Sequence, residues 1–163
     1  MFRRASITLI TQAILFSAAV VVAGQGKSYA QSDTDDVKAA VDAYHAALSA
    51  LDAAKMGAMW AHDDSVMDIE PNDKAISLGW DAVKKNFDTE FANLAELKLM
   101  QTDGPHIQVK GDTAWSTGIA NATTLHPKGG PVLTNVQTFE TDVFQKRDGK
   151  WLLVSHTALR VPQ

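Results

Sequence analysis

The run from Val132 to Val161 constrains this chain most. Two long stretches rich in β-branched and aromatic residues, Val-Leu-Thr-Asn-Val-Gln-Thr-Phe-Glu-Thr-Asp-Val-Phe-Gln-Lys and Trp-Leu-Leu-Val-Ser-His-Thr-Ala-Leu-Arg-Val, flank Arg-Asp-Gly-Lys. The Asp148-Gly149 pair between such runs is a strong hairpin signal, because both residues tolerate the positive φ of a tight turn. Strands of roughly 11 to 14 residues exceed the usual length of about 5 or 6, so the sheet they build has to bend around something.

Leading into that sheet is a helical first half. Ser32 or Asp33 offers an N-cap, and Val37, Ala40, Val41, Tyr44, Ala47, Leu48 and Leu51 then recur at helical spacing, with Tyr44 in the middle of the stripe. Asp52 opens a short second helix carrying Met56, Met59 and Trp60, and Asp63-Asp64 closes it. Residues 65–70 read as a strand, 71–74 as a turn and 75–78 as a returning strand. Gly79 precedes a third helix in which Val83, Phe87, Phe91 and Leu94 repeat at helical intervals. Residues 97–110 form a strand bent at Asp103-Gly104-Pro105, since proline cannot donate to a ladder. Gly111-Asp112 turns into a strand over 113–125, and a Pro- and Gly-rich loop leads to the final hairpin. Helices followed by strands predict an α+β domain whose curved antiparallel sheet wraps the helices.

Met1-Phe-Arg-Arg, a mostly apolar run over residues 5–24 and Ser28-Tyr29-Ala30 have the layout of a secretory signal peptide, giving a leader over 1–30 and a domain over 31–163. The alternative is an uncleaved anchor. Loss of the leader removes Arg3, Arg4 and Lys27 and no acid, taking the net charge from -4 to -7. An acidic domain without a basic stripe is a poor nucleic-acid binder. The expected location is the periplasm or the medium, with no membrane contact after cleavage. The chain has no cysteine, which excludes disulfides and thiol chemistry. With no His-x-x-x-His pairing either, no metal and no cofactor are expected.

These elements in this order resemble the cone-shaped fold of the nuclear transport factor 2-like superfamily, in particular its SnoaL-like members. Pro105-His106-Ile107 with Gly111-Asp112, Glu140-Thr141 with Arg147-Asp148-Gly149-Lys150-Trp151, and Glu70-Pro71 ahead of Gly79-Trp80-Asp81 are similar to the association domain of calcium/calmodulin-dependent protein kinase. The first half also resembles ketosteroid isomerase. That resemblance places the isomerase's helix tyrosine on Tyr44, the aspartate closing its first helix on Asp52, its base on Asp68 and its second acid near Asp142. The isomerase pattern runs Asp-Pro directly, whereas here Ile69 and Glu70 intervene before Pro71, which leaves Glu70 as a competing base.

A phenol, a carboxylate and a second acid around an apolar cavity can enolise a carbonyl compound. The candidate catalytic residues are therefore Tyr44, Asp68, Asp142 and His156. Strand parity decides two of them. If Met67 and Ile69 face the core, Asp68 faces solvent. A two-residue loop at Asp148-Gly149 puts His156 on the face of Thr141 and Val143; a three-residue loop puts it with Asp142 and Glu140, beside Val154 and Ala158. Candidate substrate-binding residues are Trp60, Phe87, Phe91, Trp115, Thr117 and Val154. His45, His62, His106 and His126 read as surface. The expected function is an exported isomerase or lyase acting on a small hydrophobic carbonyl compound; a non-catalytic small-molecule-binding or oligomerisation domain is the alternative. A homodimer is expected through the convex sheet face, where Leu153 and Val143 would otherwise be exposed.

Overall fold

A computed structural model describes residues 25–162. Residues 1–24 of the expected leader lie outside them, and no helix among the described residues is long and apolar enough to cross a membrane. Helix α1 spans Gln25–Ala50, already helical ahead of the N-cap expected at Ser32 or Asp33. Helix α2 covers Ala53–Gly57, capped by the Asp52 carboxylate, which accepts from the Lys55 amide at 3.0 Å. Strands β1 (Met67–Ile69) and β2 (Ser77–Leu78) flank a turn, and α3 runs Trp80–Asn93. Gly79 enters α3 at φ 79°, a backbone angle that favours glycine. Four long strands complete the chain: β3 Leu94–Lys110, β4 Thr113–Pro127, β5 Val136–Arg147 and β6 Lys150–Arg160.

The six strands form one unclosed sheet in the order β2-β1-β6-β5-β4-β3. All neighbours are antiparallel except β1 and β6, which run parallel. The β3–β4 ladder shifts register around Asp103, where the proline was expected to bend it. There the backbones approach closely: a Cβ on Gly104 would lie 2.7 Å from the Thr117 carbonyl oxygen. Repeated shifts of this kind increase twist and curl the sheet. Inside the curl, α1 and α3 bury Val37, Val41, Tyr44, Leu48, Val83 and Phe87 against Ala114, Phe144 and Leu153. Each fully buried large apolar side chain contributes about 1.5–3 kcal/mol.

The last hairpin combines both loop readings. Its turn is two residues long, with Arg147 paired to Lys150 and positive φ at Asp148 and Gly149. On that count alone His156 would lie opposite Thr141. A bulge between the Phe144–Leu153 and Val143–Ser155 pairs adds one residue to β6 and sets His156 opposite Asp142. Trp151 and Leu153 face inward before the bulge, so Leu153, expected on the convex face, is instead in the core, and His156 and Ala158 face inward after it. Val154 falls at the phase break and is only half-buried, so it does not share the inward row with His156.

Candidate active site

Strand β1 settles the parity question for Asp68. Val66 and Asp68 are fully buried while Met67 and Ile69 are half-exposed, so Asp68 points into the cone. The parallel pairing of β1 with β6 sets Asp68 directly beside His156. On β5, Glu140, Asp142 and Phe144 alternate inward. The outcome is one buried polar cluster drawn from α1, α3 and strands β1, β4, β5 and β6.

His156 is 1% exposed, and its Nδ1 donates to Asp142 Oδ1 at 2.7 Å. The other Asp142 oxygen accepts from the Ser116 hydroxyl at 3.1 Å. With both partners fixed, His156 Nε2 is turned toward Glu70, whose Oε1 lies 3.8 Å away. Tyr44 packs over this group, its ring centroid 4.9 Å from that of His156, and its buried hydroxyl has no hydrogen-bond partner. Asn86 donates to both Asp68 Oδ2, at 3.2 Å, and Asp73 Oδ2, at 3.0 Å. A second pair stands nearby: His45 Nε2 is 2.7 Å from Glu140 Oε2, and Thr138 donates to the other Glu140 oxygen.

Burial sets the protonation states. It pushes Glu70 well above the usual carboxylate range, with His156 pulling the other way. Asp68 is also raised by burial, against the opposing effects of His156 and the Asn86 hydrogen bond. Glu90, on α3, is pushed up to about 7, first by burial and then by Asp68 and Asp73. For His156 burial alone would disfavour the cation, but the Asp142 hydrogen bond and the surrounding carboxylates outweigh it and raise the imidazole to about 10. The Tyr44 phenol, buried and facing carboxylates, stays protonated far into the alkaline range. At neutral pH the cluster thus pairs an imidazolium donor with carboxyl groups of raised basicity.

A cavity of about 350 Å³ reaches this cluster. Its walls are apolar, including Leu94, Leu97, Leu125 and Val136, while Glu70, Glu90, Glu140 and His156 supply its polar lining. Arg160 and Asn72, both exposed and hydrogen-bonded at 3.2 Å, also border it. This size and polarity suit a small, mostly apolar ligand fixed by a few polar groups.

The candidate residues fall in three places. Asp68, Asp142 and His156 meet, and Tyr44 covers them; Glu70 lines the cavity, while Asp68 stands behind it. Asp52 only caps α2. The expected aromatic lining lies elsewhere: Trp60, Phe87 and Phe91 are packed in the core, and Val154 is at the bulge. Trp115 and Thr117 face outward, Trp115 being 40% exposed. Ser116, between them, is the β4 residue that reaches the cluster. His45 is buried rather than at the surface, because it lies four residues after Val41 and three before Leu48 on the helix stripe. Glu90 and Asn86 carried a comparable signal, three residues after Phe87 and Val83 respectively.

The cone of helices within an open curved sheet, with acids and a histidine at the base of an apolar cavity, defines a nuclear transport factor 2-like architecture. Residues 37–158 match the SnoaL-like domain family, and the chain belongs to that family. Solved structures agree on the fold. A candidate dehydratase of the nuclear transport factor 2-like family from Streptomyces avermitilis is 25% identical, covering 82% of this chain and 99% of that one, with TM-score 0.71. A ketosteroid isomerase-like protein from Erwinia carotovora atroseptica is 17% identical over 80% of this chain and 98% of that one, TM-score 0.70. A candidate calcium/calmodulin-dependent protein kinase II association domain from Xanthomonas campestris is 23% identical over 78% and 86%, TM-score 0.66. No curated protein matches the chain.

Proposed function

We infer that the protein is an acid/base enzyme of the lyase or isomerase type, acting on a small hydrophobic carbonyl compound. The observation that carries this is the Asp142–His156 pair holding Nε2 toward Glu70 at the polar end of the cavity. Glu70 takes the α-proton, breaking the C–H bond and sending its electron pair to the carbonyl oxygen. The imidazolium of His156 is the donor that lines the cavity for that oxyanion, with Tyr44 packed over its ring. In elimination the enolate then collapses and expels a β-hydroxyl, which leaves as water on receiving a proton. In isomerisation the abstracted proton returns at another carbon. Burial first, and then the neighbouring acids Glu90 and Asp68, strengthen Glu70 as a base. The dehydratase description of the Streptomyces structure supports the elimination branch.

Enolisation is common to both branches, so exchange of α-protons in D₂O, followed by NMR on a panel of small ketones and β-hydroxy carbonyl compounds, tests the reading. Exchange with at least one compound is expected, falling about 10²–10⁴-fold in Glu70→Gln and in His156→Gln. Undiminished exchange in both variants removes Glu70 and His156 from the chemistry, and no exchange with any compound alongside tight binding supports a binding domain instead. The leader over residues 1–30 supports export to the periplasm or medium; a mature N-terminus at Gln31 is the result to expect from sequencing the exported protein. The convex face of the sheet supports a homodimer. Trp115, Phe139 and Leu159 are exposed there, and Phe139 pairs across strands with Ile119 and Leu159.

A further inference from the structure

We propose that Asp68, Glu70 and His156 bind one divalent first-row transition-metal ion at the polar end of the cavity. The inference goes beyond the reaction class, because ion binding stands or falls whatever the cavity converts. One ligating atom from each of the three lies within 4.8 Å of the others. The arrangement follows from the strand pairing: Asp68 and His156 are direct partners across β1 and β6, and Glu70 follows two residues on.

The hydrogen bonding leaves one ligating atom free on each of the three residues while fixing the groups behind them. Asp142 holds His156 by Nδ1 and is itself held by Ser116, so Nε2 is the nitrogen left for the cavity. This is the carboxylate–histidine–metal relay that orients imidazole ligands. Asn86 occupies Asp68 Oδ2, and Asp68 Oδ1, on a fully buried side chain, has no partner. Glu70 Oε1 has none either, and at 3.8 Å from Nε2 it is too distant for a hydrogen bond. The buried Tyr44 hydroxyl beside them is equally unsatisfied. Unpaired buried carboxylate oxygens are costly, and a cation satisfies two of them at once. Zn–N and Zn–O bonds of about 2.0–2.2 Å place tetrahedral ligands about 3.4 Å apart, so a contraction of a few tenths of an ångström brings Nε2 and Oε1 into range.

The donor set selects the metal. Imidazole favours zinc, iron, cobalt or nickel over magnesium and calcium, which prefer oxygen alone. Three protein ligands leave a coordination position open, as in catalytic rather than structural zinc sites. That position faces the cavity, since Glu70 and His156 both line it. A metal ion and a proton exclude each other on Nε2, so the loaded site replaces the imidazolium donor with a Lewis acid at the same place.

Isothermal titration of EDTA-treated protein with Zn²⁺, repeated with Mg²⁺, measures the site directly. The expected result is one Zn²⁺ per chain and at least 100-fold weaker Mg²⁺ binding. Asp68→Asn and His156→Gln are each expected to weaken Zn²⁺ at least 100-fold, and Asp142→Asn, acting behind the histidine, about 10–100-fold. Circular dichroism verifies that the variants fold, and the His156 ring resonances of the unmodified protein, shifting on addition of Zn²⁺, need no variant. Absence of saturable binding, or unchanged affinity in both Asp68→Asn and His156→Gln, overturns the site. Exchange measured in EDTA separates the two readings: no saturable ion binding with exchange intact overturns the site and leaves the acid/base reading standing, whereas one bound ion without exchange supports the site and removes that reading alone.

Discussion

Asp142→Asn isolates the electrostatics of the cluster. In the metal-free protein the substitution keeps the shape of the side chain and removes the charge facing His156, leaving a buried imidazolium without its counter-ion. Breaking a buried pair on one side costs about 3–5 kcal/mol. The titration of His156 gives a comparable ceiling. Its imidazole is raised from 6.5 to about 10, and at about 1.4 kcal/mol per unit that amounts to about 5 kcal/mol, Asp142 being the largest favourable cause. The sign follows from linkage: a raised histidine stabilises the fold fully below its unfolded value near 6.5 and loses that contribution as pH rises through about 10. Urea denaturation of both proteins in EDTA should therefore show the full penalty at pH 6.5 and a much smaller one at pH 10.5. Other groups that titrate in the alkaline range are common to both proteins and cancel in the difference. A penalty that is equal at the two pH values, or larger at the alkaline one, refutes the assignment of His156 as a buried cation held by Asp142.

Tyr44→Phe removes a buried hydroxyl that has no partner, so we expect unchanged or higher stability by up to about 1–3 kcal/mol in denaturant melts, together with slower α-proton exchange. Gly104 combines φ 82° with a Cβ position 2.7 Å from the Thr117 oxygen, whereas Gly129, at φ 74°, has open space around it; Gly104→Ala should lower the thermal midpoint clearly more than Gly129→Ala. Phe139→Asp places a charge in the middle of the exposed convex patch, and light scattering at micromolar concentration should show a dimer of the unmodified protein converted to monomer with little change in circular dichroism.

The architecture was legible because its signals are periodic and local. The α1 stripe through Tyr44, the α3 stripe through Phe87 and the Asp148-Gly149 turn each declare an element within a dozen residues. The meeting of Asp142 with His156 was reachable only as one of two registers. The structure reaches that pairing by a route neither register contained, a two-residue turn corrected by a bulge, because a bulge in a run of Leu-Leu-Val-Ser leaves no mark in composition. The cavity lining was the least legible part. Large aromatics such as Trp60 and Phe87 were assigned to the ligand, yet they fill the space between helices and sheet, and aliphatic residues of β3, β4 and β5 form the walls. The absence of a local histidine pair likewise said little about ion binding, since Asp68 and His156 meet through the first and last strands in chain order, far apart in sequence.

The parallel seam between β1 and β6 has a consequence for how the protein is made. Every group of the cluster except His156 is synthesised before the last turn, and the seam closes only once Lys150–Arg160 have left the ribosome. Until then Asp68, Glu70 and Asp142 face no cation, and their mutual repulsion works against early collapse around them. A polypeptide that stops short of Ser155 would lack both the strand that covers these acids and the ring that neutralises them, so truncated products should be soluble targets for proteases rather than partly working proteins.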